Sequence, residues 1–181
     1  MGISHYSERM PNYVVVLPTS PFEVGVGFTV ADWPLHVTVV PPFASAVGTI
    51  RLEAVLRATA GGYAPINVPI GRDAYFGADR DILASLFADP VALVELHLQL
   101  LLALERECGI ILEEPQYSRE GYRPHVTAAN TGRTREGEEL QFSQVALVEM
   151  SPLRLTDIHS VVATVDLDAS ALVASGEEDE V

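Results

Sequence analysis

The chain has 181 residues, 48% of them hydrophobic, and carries 25 Asp and Glu against 11 Lys and Arg for a formal net charge of −14. That size and apolar content suit one domain with a substantial core, and no apolar stretch is long enough to span a bilayer. A body so negative repels a polyanion at long range, which excludes tracking along extended RNA or DNA and favours a small phosphoester or one chain end offered to a locally positive cleft.

The first twelve residues are polar, unlike a secretory signal, and Tyr6 stands where a myristoylation motif needs Ser or Thr. The one cysteine, Cys108, cannot close an internal disulfide, so a reducing cytoplasm is the expected location. Residues 12–17 read as a strand ended by Pro18, residues 21–30 as an irregular strand or loop containing Gly25 and Gly27, and residues 35–40 as a second strand ended by Pro41-Pro42. A helix is expected from Thr49 as N-cap to Gly61-Gly62, with Ile50, Ala54 and Leu56 forming its inner stripe. Strands follow at 66–70, 74–76 and 82–87.

Residues 90–108 give the clearest element, a helix with Asp89 as N-cap, Pro90 in the first position and Gly109 just beyond the end. Leu93, Leu96, Leu100 and Leu104 mark its buried face, widened by Val91 and Val94. Residues 113–121 read as a loop that forms a rim or lid, and strands are expected at 123–128, 142–150 and 158–166. The order is α+β. Residues 1–170 are read as one domain, and residues 171–181, with Glu177, Glu178, Asp179 and Glu180, as an acidic disordered tail.

The tripeptide His-Val-Thr occurs twice, as His36-Val37-Thr38 and His125-Val126-Thr127, nearly half the chain apart and each inside a strand-like run. Strand side chains alternate between faces, so each motif delivers an imidazole and a hydroxyl to one surface. An imidazole titrates near neutrality, so one histidine can take a proton from an attacking hydroxyl while the other gives one to the departing oxygen. Thr38 and Thr127 can donate hydrogen bonds to the non-bridging phosphoryl oxygens. One motif alone would read as an ordinary half-buried strand; the pair makes a site.

Around these four, Arg123 lies two residues before His125 and is a candidate phosphate contact, while Tyr117 and Tyr122 are candidates for stacking on a base. Phe43 is expected beneath the first motif, Tyr75 and Phe76 in the core or rim, and His97 and His159 in packing or surface positions. A metal site that used His36 and His125 lacks any His-x-x-x-His or Cys-x-x-Cys partner pattern, and no P-loop, dinucleotide fingerprint or Gly-x-Ser-x-Gly elbow is present. No metal and no cofactor are therefore expected. The competing readings are a metal-dependent enzyme and a non-catalytic nucleotide-binding module.

Leu35-His36-Val37-Thr38-Val39-Val40-Pro41-Pro42-Phe43 resembles the first signature of the two-histidine (2H) phosphoesterases, which include the bacterial RNA 2′,3′-cyclic phosphodiesterases, also called 2′-5′ RNA ligases. Tyr122-Arg123-Pro124-His125-Val126-Thr127-Ala128 resembles the second, and the likeness extends over residues 13–166. It implies two antiparallel sheets forming pseudo-symmetric lobes about a central cleft, with helices outside. It also implies metal-independent hydrolysis of a cyclic phosphate or 2′-5′ bond in a nucleotide or oligonucleotide end, and in some phage members of cyclic oligonucleotide defence signals. One departure stands out: family members often carry an arginine soon after the second motif, whereas here Ala129-Asn130-Thr131-Gly132 precede Arg133.

Overall fold

The computed structural model describes residues 10–150 and 158–168. Its strands are β1 (Asn12–Pro18), β2 (Gly27–Thr29), β3 (His36–Ala44), β4 (Ile66–Phe76), β5 (Ile82–Phe87), β6 (Ile111–Leu112), β7 (His125–Thr127), β8 (Glu139–Phe142), β9 (Gln144–Met150) and β10 (Ile158–Asp166). Two helices, α1 (Thr49–Ala60) and α2 (Val91–Cys108), interrupt them, and two short 3-10 turns, Pro115–Tyr117 and Arg119–Gly121, lead into β7. The acidic tail and His5 lie outside the described residues.

Among the described residues the strands follow one path, β2-β10-β9-β1-β3-β7-β5-β4-β8, with β6 beside β3, and every pairing is antiparallel. The expected two lobes are the two halves of this path, β2-β10-β9-β1-β3 and β7-β5-β4-β8. They meet where Val37 of β3 pairs with Val126 of β7. Helix α1 packs on β9, β10 and α2, and α2 packs on β3, so the larger core lies between helices and sheet. No helix among the described residues is long and apolar enough to cross a membrane.

Several boundaries differ from the sequence expectation for local reasons. β3 continues through Pro41-Pro42 because its register against β1 slips between Tyr13 and Val15, and a bulge is where a strand can do without a ladder N–H. β4 is one strand rather than two, with its own irregularity between Ile70 and Asp73. The apolar run at 142–150 divides at Ser143, since Phe142 pairs with Ile66 at one end of the sheet and Gln144 with Asp166 near the other. In α1 the N-cap is Gly48 rather than Thr49, and the buried stripe is Leu52, Val55, Leu56 and Ala60, leaving Ile50 and Ala54 exposed. α2 buries Leu93, Leu96, Leu100 and Leu104 as expected, with Val91 exposed, but its N-cap is Pro90 rather than Asp89, so the first helical residue is Val91, whose N–H donates to Asp89 Oδ1 at 3.3 Å. It ends at Gly109, whose φ of 59° is the left-handed conformation that glycine adopts without steric cost.

β1 is buried on both faces. Val15 and Leu17 join the main core, while Val14 and Val16 enter a smaller cluster with Phe28, Ala146, Val148 and Val161, covered by Phe22 and Trp33. Val16 pairs with Thr38, so this smaller cluster continues the sheet face that carries the first motif.

Candidate active site

The two tripeptides are neighbours across the central strand pair. Val37 and Val126 face the core, essentially without exposure, and the His and Thr on either side of each valine are half-buried on the opposite face. With Val37 opposite Val126 in an antiparallel pair, His36 lies across from Thr127 and Thr38 across from His125. Directly opposed side chains of such a pair start about 5 Å apart and diagonal ones about 7–8 Å, so the two imidazoles stand on a diagonal with room between them for a phosphoryl group. A local two-fold axis between the valines exchanges one motif with the other.

The histidine anchors repeat the same symmetry. Nδ1 of His36 donates to the carbonyl oxygen of Pro34 at 2.7 Å, and Nδ1 of His125 donates to that of Arg123 at 2.7 Å. A carbonyl only accepts, so each Nδ1 carries the hydrogen and each Nε2 can take or give a proton. Each ring also lies on an aromatic face, His36 on Trp33 (4.6 Å between centroids, 29° between planes) and His125 on Phe76 (4.5 Å, 18°). Burial pushes both pKa values below the usual histidine range against the raising effect of the backbone bond; the charge of His125 lowers His36 further, and that of Arg123 lowers His125 further.

Beside the pair opens a pocket of about 570 Å³ that includes Thr38 and His125 in its wall. Phe76, Gly77 and Ile82, from the hairpin of β4 and β5, line one side, and Gln116, Tyr117, Gly121, Tyr122 and Arg123 the other. Phe76 pairs with Ile82 in register, which puts both on the face shared with His125. Arg123 lines this pocket, and its guanidinium lies 5.1 Å from the centroid of Phe76. Tyr117 stands on the rim, 56% exposed. Tyr122 is nearly buried, its ring stacked on His97 and its hydroxyl donating to the Thr38 carbonyl at 2.9 Å, so it enters the pocket as a fixed wall. Phe43 is fully buried, as expected. The segment after the second motif turns back on the first, Thr131 donating from Oγ1 to the carbonyl of Trp33, and Arg133 pairs with Asp73 at 2.9 Å.

Trp33 and His97 escaped sequence reasoning as parts of the site. The signal available for Trp33 was its place three residues before His36 as the one tryptophan in the chain. His97, expected in a packing or surface position, is completely buried, and its ring stacks on Tyr122 of the pocket wall. Among the described residues no three His, Cys, Asp or Glu side chains are grouped to hold a metal ion.

Residues 27–163 match the 2′-5′ RNA ligase superfamily. Among curated proteins none matches the sequence. Solved structures with the same fold include a phosphoesterase at 16% identity (TM-score 0.56, covering 88% of this chain and 99% of that one). E. coli LigT complexed with NADP+ is similar at 15% identity (TM-score 0.54, 89% and 99%), and TT0787 of Thermus thermophilus at 18% (TM-score 0.55, 87% and 98%). LigT has also been solved with 3′-AMP, at 14% identity and a TM-score of 0.55 over 88% of this chain and 98% of that one. With the paired His-Val-Thr strands, the two lobes and a superfamily match across most of its length, this chain belongs to the 2′-5′ RNA ligase superfamily of 2H phosphoesterases.

Proposed function

We propose that the protein is a metal-independent phosphodiesterase that hydrolyses a cyclic phosphate or a 2′-5′ bond in a nucleotide or at an oligonucleotide end. The observation that carries this reading is the cross-strand arrangement of His36, Thr38, His125 and Thr127, with both Nδ1 atoms tied to backbone and both Nε2 atoms left for proton transfer. One neutral imidazole takes a proton from water as its oxygen attacks phosphorus. The bond from phosphorus to the departing sugar oxygen breaks, and that oxygen takes a proton from the other imidazole in its protonated form. Thr38 and Thr127 donate to the non-bridging oxygens as their charge redistributes.

The pocket beside His125 suits the nucleoside attached to that phosphorus. Its volume and largely apolar wall of Phe76, Ile82, Tyr117 and Tyr122 can receive a base, with Arg123 supporting a phosphate. The small nucleotides in the LigT complexes are in keeping with such a ligand.

The test is a screen of the purified protein against 2′,3′-cyclic mononucleotides, 2′-5′-linked dinucleotides and cyclic oligonucleotides, each with and without a chelator. Turnover that survives the chelator and disappears in His36→Ala and His125→Ala supports the reading. Turnover lost with the chelator and restored by added metal overturns it.

A further inference from the structure

The wall of the pocket is tied down by a buried histidine that the proposed chemistry does not use. His97 on α2 is completely buried. Its Nδ1 donates to the carbonyl of Val39 on β3 at 2.6 Å, and its Nε2 accepts the backbone N–H of Arg119 at 2.9 Å. Those two bonds require the neutral tautomer with hydrogen on Nδ1, because a carbonyl cannot donate and an N–H cannot accept. One face of the ring carries Tyr122, at 3.8 Å between centroids and 13° between planes, and Tyr122 in turn donates to the Thr38 carbonyl.

Arg119 is unusual in its own right. Its φ is +52°, a left-handed conformation that a non-glycine residue adopts only when its surroundings impose it. The imposing contacts are visible: its N–H is held by His97, and its guanidinium reaches both carboxylate oxygens of Glu105 on α2, at 2.7 and 2.6 Å. The turn between Tyr117 and Tyr122, which supplies one side of the pocket, is thereby fastened to α2 and β3 at once.

We propose that His97 and Arg119 are positioning residues that clamp this turn and so set how tightly the pocket holds its ligand. The proposal rests on the phosphodiesterase reading for its kinetic arm only. His97 touches neither Nε2 of the acting histidines nor the pocket itself, so the clamp governs KM rather than the chemical step.

The amides Asn and Gln separate the two bonds of His97, since the polar end of Asn falls near Nδ1 and that of Gln near Nε2. His97→Asn keeps the bond to Val39 and releases Arg119; His97→Gln keeps an acceptor for Arg119. Expected for His97→Asn are rapid hydrogen exchange at the Arg119 amide and a rise in KM of about fivefold with kcat changed by less than about twofold, with both returning towards wild type in His97→Gln. Equal behaviour of the two variants, or unchanged exchange at Arg119 in His97→Asn, would overturn the clamp. Should neither variant fold, the imidazole nitrogen shifts of His97 in the wild-type protein decide it, because hydrogen on Nε2 is incompatible with the bond to Arg119. If the wild type turns over none of the phosphoesters, the functional reading fails while exchange and nitrogen shifts still judge the clamp.

Discussion

In the proposed scheme each imidazole has its own proton to move, so His36→Ala and His125→Ala are each expected to remove most turnover while thermal unfolding stays cooperative; unimpaired turnover by either would refute the two-histidine scheme. Thr38→Val and Thr127→Val keep shape and lose one donor, and should cost about ten- to a hundredfold in kcat, or roughly 1.4–3 kcal/mol. The pH profile follows from the direction of the shifts. Burial lowers both histidines, and a charge on His125 lowers His36 again, so the state with one proton shared between them is most populated below the ordinary imidazole value of about 6.5. A bell in kcat/KM with its maximum on the acid side of that value is expected. A bound phosphate anion raises both pKa values, so the bell in kcat should lie at higher pH. A rate that climbs steadily into alkali would point to hydroxide or metal-bound water instead. The four motif residues were legible in sequence because strand periodicity fixes their shared face. Trp33 and His97 were not, because stacking on His36 and bonding to Arg119 depend on contacts that no local pattern encodes.

The turn that walls the pocket is built around a close backbone approach. A Cβ at Gly121 would collide with the carbonyl oxygen of Gln116, a backbone atom with no freedom to swing aside. Gly121→Ala should therefore distort the rim, raising KM and lowering Tm, whereas an alanine at Gly48, with open space around it, should leave KM unchanged. Equal, small effects at both positions would show that the turn yields freely. Helix α2 was readable nearly residue by residue, since Leu93, Leu96, Leu100 and Leu104 recur at helical spacing between a Pro start and a Gly stop. The strand ends were less so. Nothing in the apolar run through Phe142 and Val145 marks Ser143 as the point where the chain leaves one lobe for the other, because each half simply satisfies a different neighbour. The stripe of α1 was misplaced for a similar reason: Ile50 is apolar, yet the first turn leaves it 86% exposed.

At the scale of the whole molecule, charge and burial make two further predictions. The net charge of −14 favours small or end-located phosphoesters, so binding of a cyclic mononucleotide should depend shallowly on salt; tight binding of a long single strand with a steep salt slope would contradict this. Stability should fall with acid before the carboxylates titrate. His36, His97 and His125 are all held below their unfolded pKa, so between about pH 6.5 and those lower values the unfolded chain binds more protons, and folding free energy is lost until the folded values are passed. A Tm that is flat or rising from pH 7 to 5 would deny that these imidazoles are buried neutral. The lobes themselves followed from the family resemblance rather than from periodicity, which yields strands but not the partner each strand will choose. Their junction at Val37 and Val126 has a stereochemical consequence. A substrate lying across a two-fold axis could enter in either of two directions, with attack from one side of phosphorus or from the other. The pocket opens beside Thr38 and His125, to one side of that axis, and so gives the two directions different surroundings. Under the proposed chemistry, directionality of bond cleavage is thus expected to follow this asymmetric wall, since the paired strands by themselves have no preferred sense.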